Sequence, residues 1–142
     1  MEKNLNGEGF PEQLFSVNMT KEEAGAYSPL VLAFIGDAVF ELFVRTALVK
    51  EGNATPNKLN RRKNLCVKAS AQAALMDRIE PLLTEEEERI FHRGRNAKPA
   101  TMAKNATVRD YHRATGFEAL VGWLYLSGQE GRLAELIGGT VK

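Results

Sequence analysis

The sequence predicts an all-α domain, and three observations carry that prediction. Helix-start signals recur along the chain, the stretches that follow them are apolar and helix-forming, and no strand pattern, internal repeat or low-complexity segment occurs. Ser28-Pro29 is an N-cap followed by proline at the first helical position, so a helix runs from there to about Lys50, where Gly52-Asn53 ends it. Leu30 to Ile35 is apolar on every side, which makes this helix central. Thr55-Pro56 repeats the start signal and opens a second long helix to about Glu80, stopped by Pro81. Thr84 and Glu87 form a capping box that begins a short third helix. Gly94 to Ala106, with Gly94, Asn96, Pro99 and Asn105 and no clean periodicity, reads as a loop. Thr107 and Asp110 restart a helix that reaches about Leu126. A last short helix covers about Glu130 to Ile137 and is capped by Gly138-Gly139.

At 142 residues the chain is one domain of ordinary size. About two thirds of its unfolded surface can be buried, enough for one core. The single cysteine, Cys66, rules out an intrachain disulfide, fits a reducing compartment and reads as core filler. No apolar run approaches the roughly 20 residues of a membrane span. Met1 to Tyr27 is polar and acidic without the apolar stretch of a signal peptide. The expected organisation is therefore an N-terminal extension over 1–27 and a domain over 28–142, in the cytoplasm.

Net charge is +1 but unevenly spread. Gly52 to Met76 holds five Lys/Arg and no acid, and Arg89 to Arg109 holds six Lys/Arg and His92, again with no acid. Such tracts offer a polyanion a local face, or are solvated helix surfaces.

Two acids stand out by their surroundings. Asp37 lies between Phe34-Ile35 and Ala38-Val39-Phe40, and Glu118 between Phe117 and Ala119-Leu120-Val121. An isolated buried charge costs several kcal/mol or more, so each needs a partner. Ala33, Asp37 and Glu41 share one helix face; Thr115, Glu118 and Gly122 share another. Gly36 and Ala33 on the first helix, with Gly122 and Ala119 on the fourth, would let two backbones approach closely enough for Asp37 and Glu118 to share a cation. Oxygen-only ligands suit Mg²⁺ or Mn²⁺, ions that serve phosphodiester hydrolysis. The competing assignment pairs the two acids with Arg45 or Arg113. Glu41, four residues before Arg45, reads as an intrahelical ion pair. His92 and His112 have no zinc-ligand spacing, and no phosphate-binding glycine loop or nucleophile elbow occurs.

Leu30 to Leu42, carrying Gly36-Asp37, resembles the signature helix of the ribonuclease III family, and Phe117 to Gly122 resembles its second acidic motif. Arg93-Gly94-Arg95-Asn96-Ala97-Lys98 and Lys104-Asn105 are similar to the Mini-ribonuclease III branch, which lacks the separate double-stranded-RNA-binding domain. The resemblance spans about Ser28 to Leu126. It implies the family's helical fold, Asp37 and Glu118 as catalytic metal ligands, and Mg²⁺, with Mn²⁺ as a possible substitute. It also implies a homodimer with Phe34 seated in a socket on the partner, each subunit cutting one strand of an RNA duplex to leave 5′-phosphates. The implied substrate is the 23S ribosomal RNA precursor. The larger enzymes carry a glutamate at Ala33 and an aspartate at Thr115, so the acidic cluster here shrinks to two. Phosphate contacts are expected from Arg93, Arg95, Asn96, Lys98 and Lys104, then from Arg61, Arg62 and Lys63. Phe34 taken alone also fits ordinary core packing. Two other readings remain open: a family member that binds structured RNA without cutting it, and a helical adaptor with no RNA role.

Overall fold

A computed structural model describes residues 17, 19–97 and 106–140, which form seven α-helices and one 3₁₀ turn. The helices are α1 (Lys21–Gly25), α2 (Pro29–Glu51), α3 (Pro56–Val67), α4 (Ala69–Ile79), α5 (Glu85–Arg95), α6 (Val108–Leu126) and α7 (Glu130–Ile137), with the 3₁₀ turn at Glu80–Leu82. Helix α6 is the centre, with α2, α5 and α4 packed around it. The core joins Phe40 and Val44 of α2 to Phe117, Leu120 and Leu124 of α6, with Phe91, Met76 and Ile137 closing the sides. Phe40 and Phe117 meet edge to face at 4.9 Å.

The capping signals hold where they were read. Ser28 accepts from the Leu30 N–H at 3.2 Å and Thr55 from the Lys58 N–H at 3.2 Å. Thr107 accepts from the Asp110 N–H at 3.0 Å. Thr84 and Glu87 close a reciprocal capping box at 2.9 and 3.2 Å. Gly52 ends α2 at φ +145°, a conformation open to glycine.

Four expectations change. The second long helix is two: Lys68, at φ −67° and ψ 159°, breaks it without a proline or glycine. The break re-aims the chain, so that α4 buries Leu75, Met76 and Ile79 whereas α3 has no fully buried residue. The first helix is not enclosed: Leu32, Gly36 and Phe40 are buried, but Leu30, Val31 and Phe34 are exposed. The third helix runs on through Gly94 to Arg95, inside the expected loop, because Gly94 is a contact point. A Cβ there would lie 2.7 Å from the Ala119 Cβ and 2.9 Å from the Gly116 Cα. The expected boundary at residue 27 also cuts through packed structure. Helix α1, with its own Thr20–Glu23 capping box, buries Ala24, and its Lys21 carbonyl accepts from the Trp123 indole N–H at 3.1 Å.

A buried acid ties α5 to α7. Glu87 is 3% exposed and takes two guanidinium bonds from Arg132, at 2.8 and 2.9 Å. Those bonds hold its carboxyl below the ordinary range against the opposing effect of burial. Arg132→Ala should cost about 3 kcal/mol, the lower end for breaking a buried pair because Arg132 is partly exposed. Removing the exposed Glu135, which also accepts from Arg132 at 3.1 Å, should cost under about 1 kcal/mol. Denaturant titration of both variants checks the difference.

Candidate active site at the crossing of two helices

Asp37 and Glu118 come together where α2 crosses α6. The crossing is glycine on both sides. A Cβ on Gly36 would overlap the Glu118 carbonyl oxygen, and a Cβ on Gly122 would overlap the Leu32 carbonyl oxygen. Ala33 and Ala119 are buried, but Ala119 turns its Cβ to Gly94 of α5 and not to α2. Of the small residues expected to bring the backbones together, the two glycines do so, and the acids follow from that approach.

Asp37 is open to solvent and Glu118 lies mostly enclosed behind it. Burial first, and the charge of Asp37 second, push the Glu118 carboxyl up to about 8 from an ordinary 4.5; an amide bond from Gln72 pulls the other way. Among the described residues no basic side chain pairs with either acid. Arg45 is spent on Glu41, at 2.6 and 2.8 Å, and Lys63 reaches the same carboxylate at 3.4 Å. Although partial burial raises the Glu41 carboxyl, those two cations together hold it below its usual value. Arg113 is spent on Glu80 at 2.6 Å and Asp77 at 2.9 Å, and it lies over the Phe91 ring at 5.1 Å. Both arginines that could have neutralised the pair are thus committed elsewhere, while Glu41 is the ion pair its spacing predicted.

The two carboxylates form a donor set that fits a hard divalent cation: oxygen ligands, adjacent, partly enclosed and uncompensated. They are also the whole acidic set. Among the described residues no group of three His, Cys, Asp or Glu side chains could hold a metal. Ala33 is buried and brings no ligand, and the Thr115 hydroxyl donates to the Tyr111 carbonyl at 3.0 Å. A cavity of about 540 Å³ opens beside Glu118, lined among others by Lys68, Ser70, Gln72 and Tyr111. None of these four was singled out from the sequence. Lys68 falls in the first acid-free tract, which is a weak signal; a lone glutamine on an alanine-rich helix gives none.

The expected RNA-contacting residues divide. Arg93 uses its guanidinium inside the fold, donating to the Gly25 and Tyr27 carbonyls at 2.8 Å each, so it anchors the segment after α1. Arg95 stands over the Phe91 ring at 5.8 Å and bonds the Asn96 side chain at 3.3 Å. Arg62 pairs with Glu51 at 2.7 Å, Lys63 joins Glu41 near the acidic site, and Arg61 is exposed. Lys98 and Lys104 lie outside the described residues. Phe34, 80% exposed on α2, is not core packing.

Comparison with known proteins agrees with this geometry. The ribonuclease III domain matches residues 30–129. A Mini-ribonuclease 3 of Clostridium tetani is 46% identical over 119 residues, covering 83% of this chain and 79% of its own. One from Thermoanaerobacter is 50% identical over 119 residues, covering 84% of each chain. A crystal structure of a Fusobacterium nucleatum protein superposes with a TM-score of 0.73 at 35% identity, covering 80% of this chain and 90% of that one. With two acids set at a glycine crossing and a match across most of its length, the chain belongs to the ribonuclease III family of double-strand-directed endoribonucleases, in its Mini-ribonuclease 3 branch.

Proposed function

We propose that this chain hydrolyses double-stranded RNA with a divalent cation held by Asp37 and Glu118, acting as a two-fold dimer on the 23S ribosomal RNA precursor in the cytoplasm. The observation that carries the reading is the uncompensated acid pair at the α2–α6 crossing. When bound, Mg²⁺ or Mn²⁺ supplies charge to a phosphoryl oxygen and acidifies a water. The chain supplies position. Asp37 is open at the surface, where a duplex too wide for any cavity can bring its backbone, and Glu118 behind it is shielded from bulk water. Products would carry 5′-phosphates. The test is incubation with duplex RNA, with Mg²⁺ and with a chelator, followed by analysis of the product ends. Binding without cleavage in Mg²⁺ would favour the non-cutting alternative.

Dimerisation is supported by an apolar stripe. Leu30, Val31 and Phe34 are exposed at helical spacing on α2, and Tyr27, just before the helix, is exposed as well. One acid pair cuts one strand, so a two-fold pair of sites suits a duplex. Phe34→Asp should weaken the dimer, since a charge in an apolar socket costs several kcal/mol. Heterodimers of wild-type and Asp37→Asn chains should nick one strand only. An active monomer in light scattering, or heterodimers that sever both strands in one encounter, would refute the arrangement.

For RNA contacts, the cations with least engagement in the fold are the better candidates. Arg61→Ala and Arg95→Ala should each lower the salt dependence of RNA binding by about one unit of slope. Arg93→Ala should instead lower stability, because two carbonyls lose their donor. An unchanged slope in the first two would assign those charges to solvent.

A further inference from the structure

Gln72 sits beside the acid pair and is nearly sealed, 2% exposed. Its Nε2 donates to two oxygens at once, the Val67 carbonyl at 3.1 Å and Glu118 Oε2 at 3.3 Å. Its Oε1 is buried with no hydrogen-bond partner among the described residues. Reversing the amide would not relieve this. It would set an oxygen against a carbonyl and a carboxylate and leave both without a donor. The donor side is fully used and the acceptor side is orphaned, at a cost of about 1–3 kcal/mol. A methionine would fill the same volume without the orphaned acceptor, but it would give the Val67 carbonyl and Glu118 no donor. What the polar group does for Glu118 is therefore the reason to look for its role.

The local fold serves the same contact. Val67 ends α3, and the extended turn at Lys68 re-aims α4 so that its residue 72 meets α6. That turn leaves the Val67 carbonyl free to hold one N–H of Gln72, which directs the other to Glu118. Thr115, one turn before Glu118, has turned its hydroxyl to its own helix backbone. Gln72 is the side chain that donates to Glu118 among the described residues.

We propose that Gln72 is a positioning residue: its amide holds one oxygen of Glu118 and so sets the orientation in which that carboxylate meets Asp37 and the cation they share. The proposal rests on the reading of Asp37 and Glu118 as metal ligands. Partners that orient a ligating carboxylate typically change metal affinity or activity by about 10–100-fold when removed.

The test uses the full chain. Gln72→Met keeps the volume and deletes the donor. Its Mn²⁺ dissociation constant, read from the free-ion electron paramagnetic resonance signal, should rise about 10–100-fold, and the Mg²⁺ concentration for half-maximal cleavage should rise with it. The melting temperature without cation is not the deciding readout, since the variant loses the orphaned oxygen but also takes the donor from the Val67 carbonyl and from Glu118. Wild-type affinity in Gln72→Met, with or without a lowered melting temperature, would overturn the proposal. If Glu118→Gln binds Mn²⁺ as wild type does, it is the ligand assignment that fails, a different result. A second readout does not depend on the variant folding. In the wild-type protein the side-chain NH₂ resonances of Gln72 should shift as Mg²⁺ is added, while those of the distant Gln129 stay fixed. Gln72 resonances that are unmoved both by Mg²⁺ and by Glu118→Gln would also overturn it.

Discussion

Glu118→Gln should abolish duplex cleavage and at the same time make the cation-free protein more stable. Loss of a ligand that stabilises transition-state charge by several kcal/mol corresponds to about 10²–10⁴-fold in rate. The gain in stability follows from the raised carboxyl. The folded chain holds the Glu118 proton up to about pH 8, whereas the unfolded chain releases it near 4.5. Between those values the folded state binds more protons than the unfolded one, so stability falls as pH rises. The contribution is intact below the unfolded value and is lost as pH passes the folded one. Without cation, the wild-type melting temperature should decline from about pH 5 to pH 8, and that decline should be absent in Glu118→Gln. Because the cation must displace the proton, Mg²⁺ binding at pH 7 should release protons, measurable in a weakly buffered solution. A variant with wild-type rate, or a wild-type melting curve indifferent to pH, would refute the assignment.

Gly36→Ala should be among the most damaging single-methyl additions in the molecule. In an exposed helix the change would gain about 0.5–1 kcal/mol. Here the added carbon would overlap the Glu118 carbonyl oxygen, a backbone atom that cannot swing aside. The helices must separate, opening the core between Phe40 and Phe117, and a loss of about 4 kcal/mol or more is expected. Gly122→Ala should behave alike, since its Cβ would meet the Leu32 carbonyl oxygen. Gly131→Ala is the control: among the described residues no atom outside its own helix lies within 4 Å of that position, and it should be neutral or stabilising. Urea titrations of the three variants give the ranking. Equal effects would mean that the crossing is looser than its geometry implies.

Local signals were legible in the sequence and distant ones were not. Caps at Ser28, Thr55, Thr84 and Thr107 act over two or three residues, so residue type and spacing reveal them. The Glu41–Arg45 pair is visible for the same reason, at four residues. Arg113 reaches Glu80 across 33 residues, and nothing in a one-dimensional pattern distinguishes that pairing from a bond to Glu118. Gly94 looked like a helix breaker because glycine disfavours helices; its role as a contact surface exists only once α5 meets α6. The turn at Lys68 has no proline or glycine to announce it, since tertiary packing of α4 imposes it. Arg93 appeared as one cation in a basic tract, and only the fold shows that two carbonyls claim it.

The break at Lys68 also divides the chain mechanically. Helix α3 lies at the edge of the core: Leu59, Cys66 and Val67 pack against it only partly buried, and Arg62–Glu51 and Lys63–Glu41 add ion pairs to α2. Ion pairs of that kind are screened by salt, whereas α6 is locked by packing that salt does not touch. Amide protons of α3 should therefore exchange through a shallow local opening, and those of α6 only through global unfolding. Salt would act on such an arm twice, competing for the nucleic acid and slackening the element that carries Arg61.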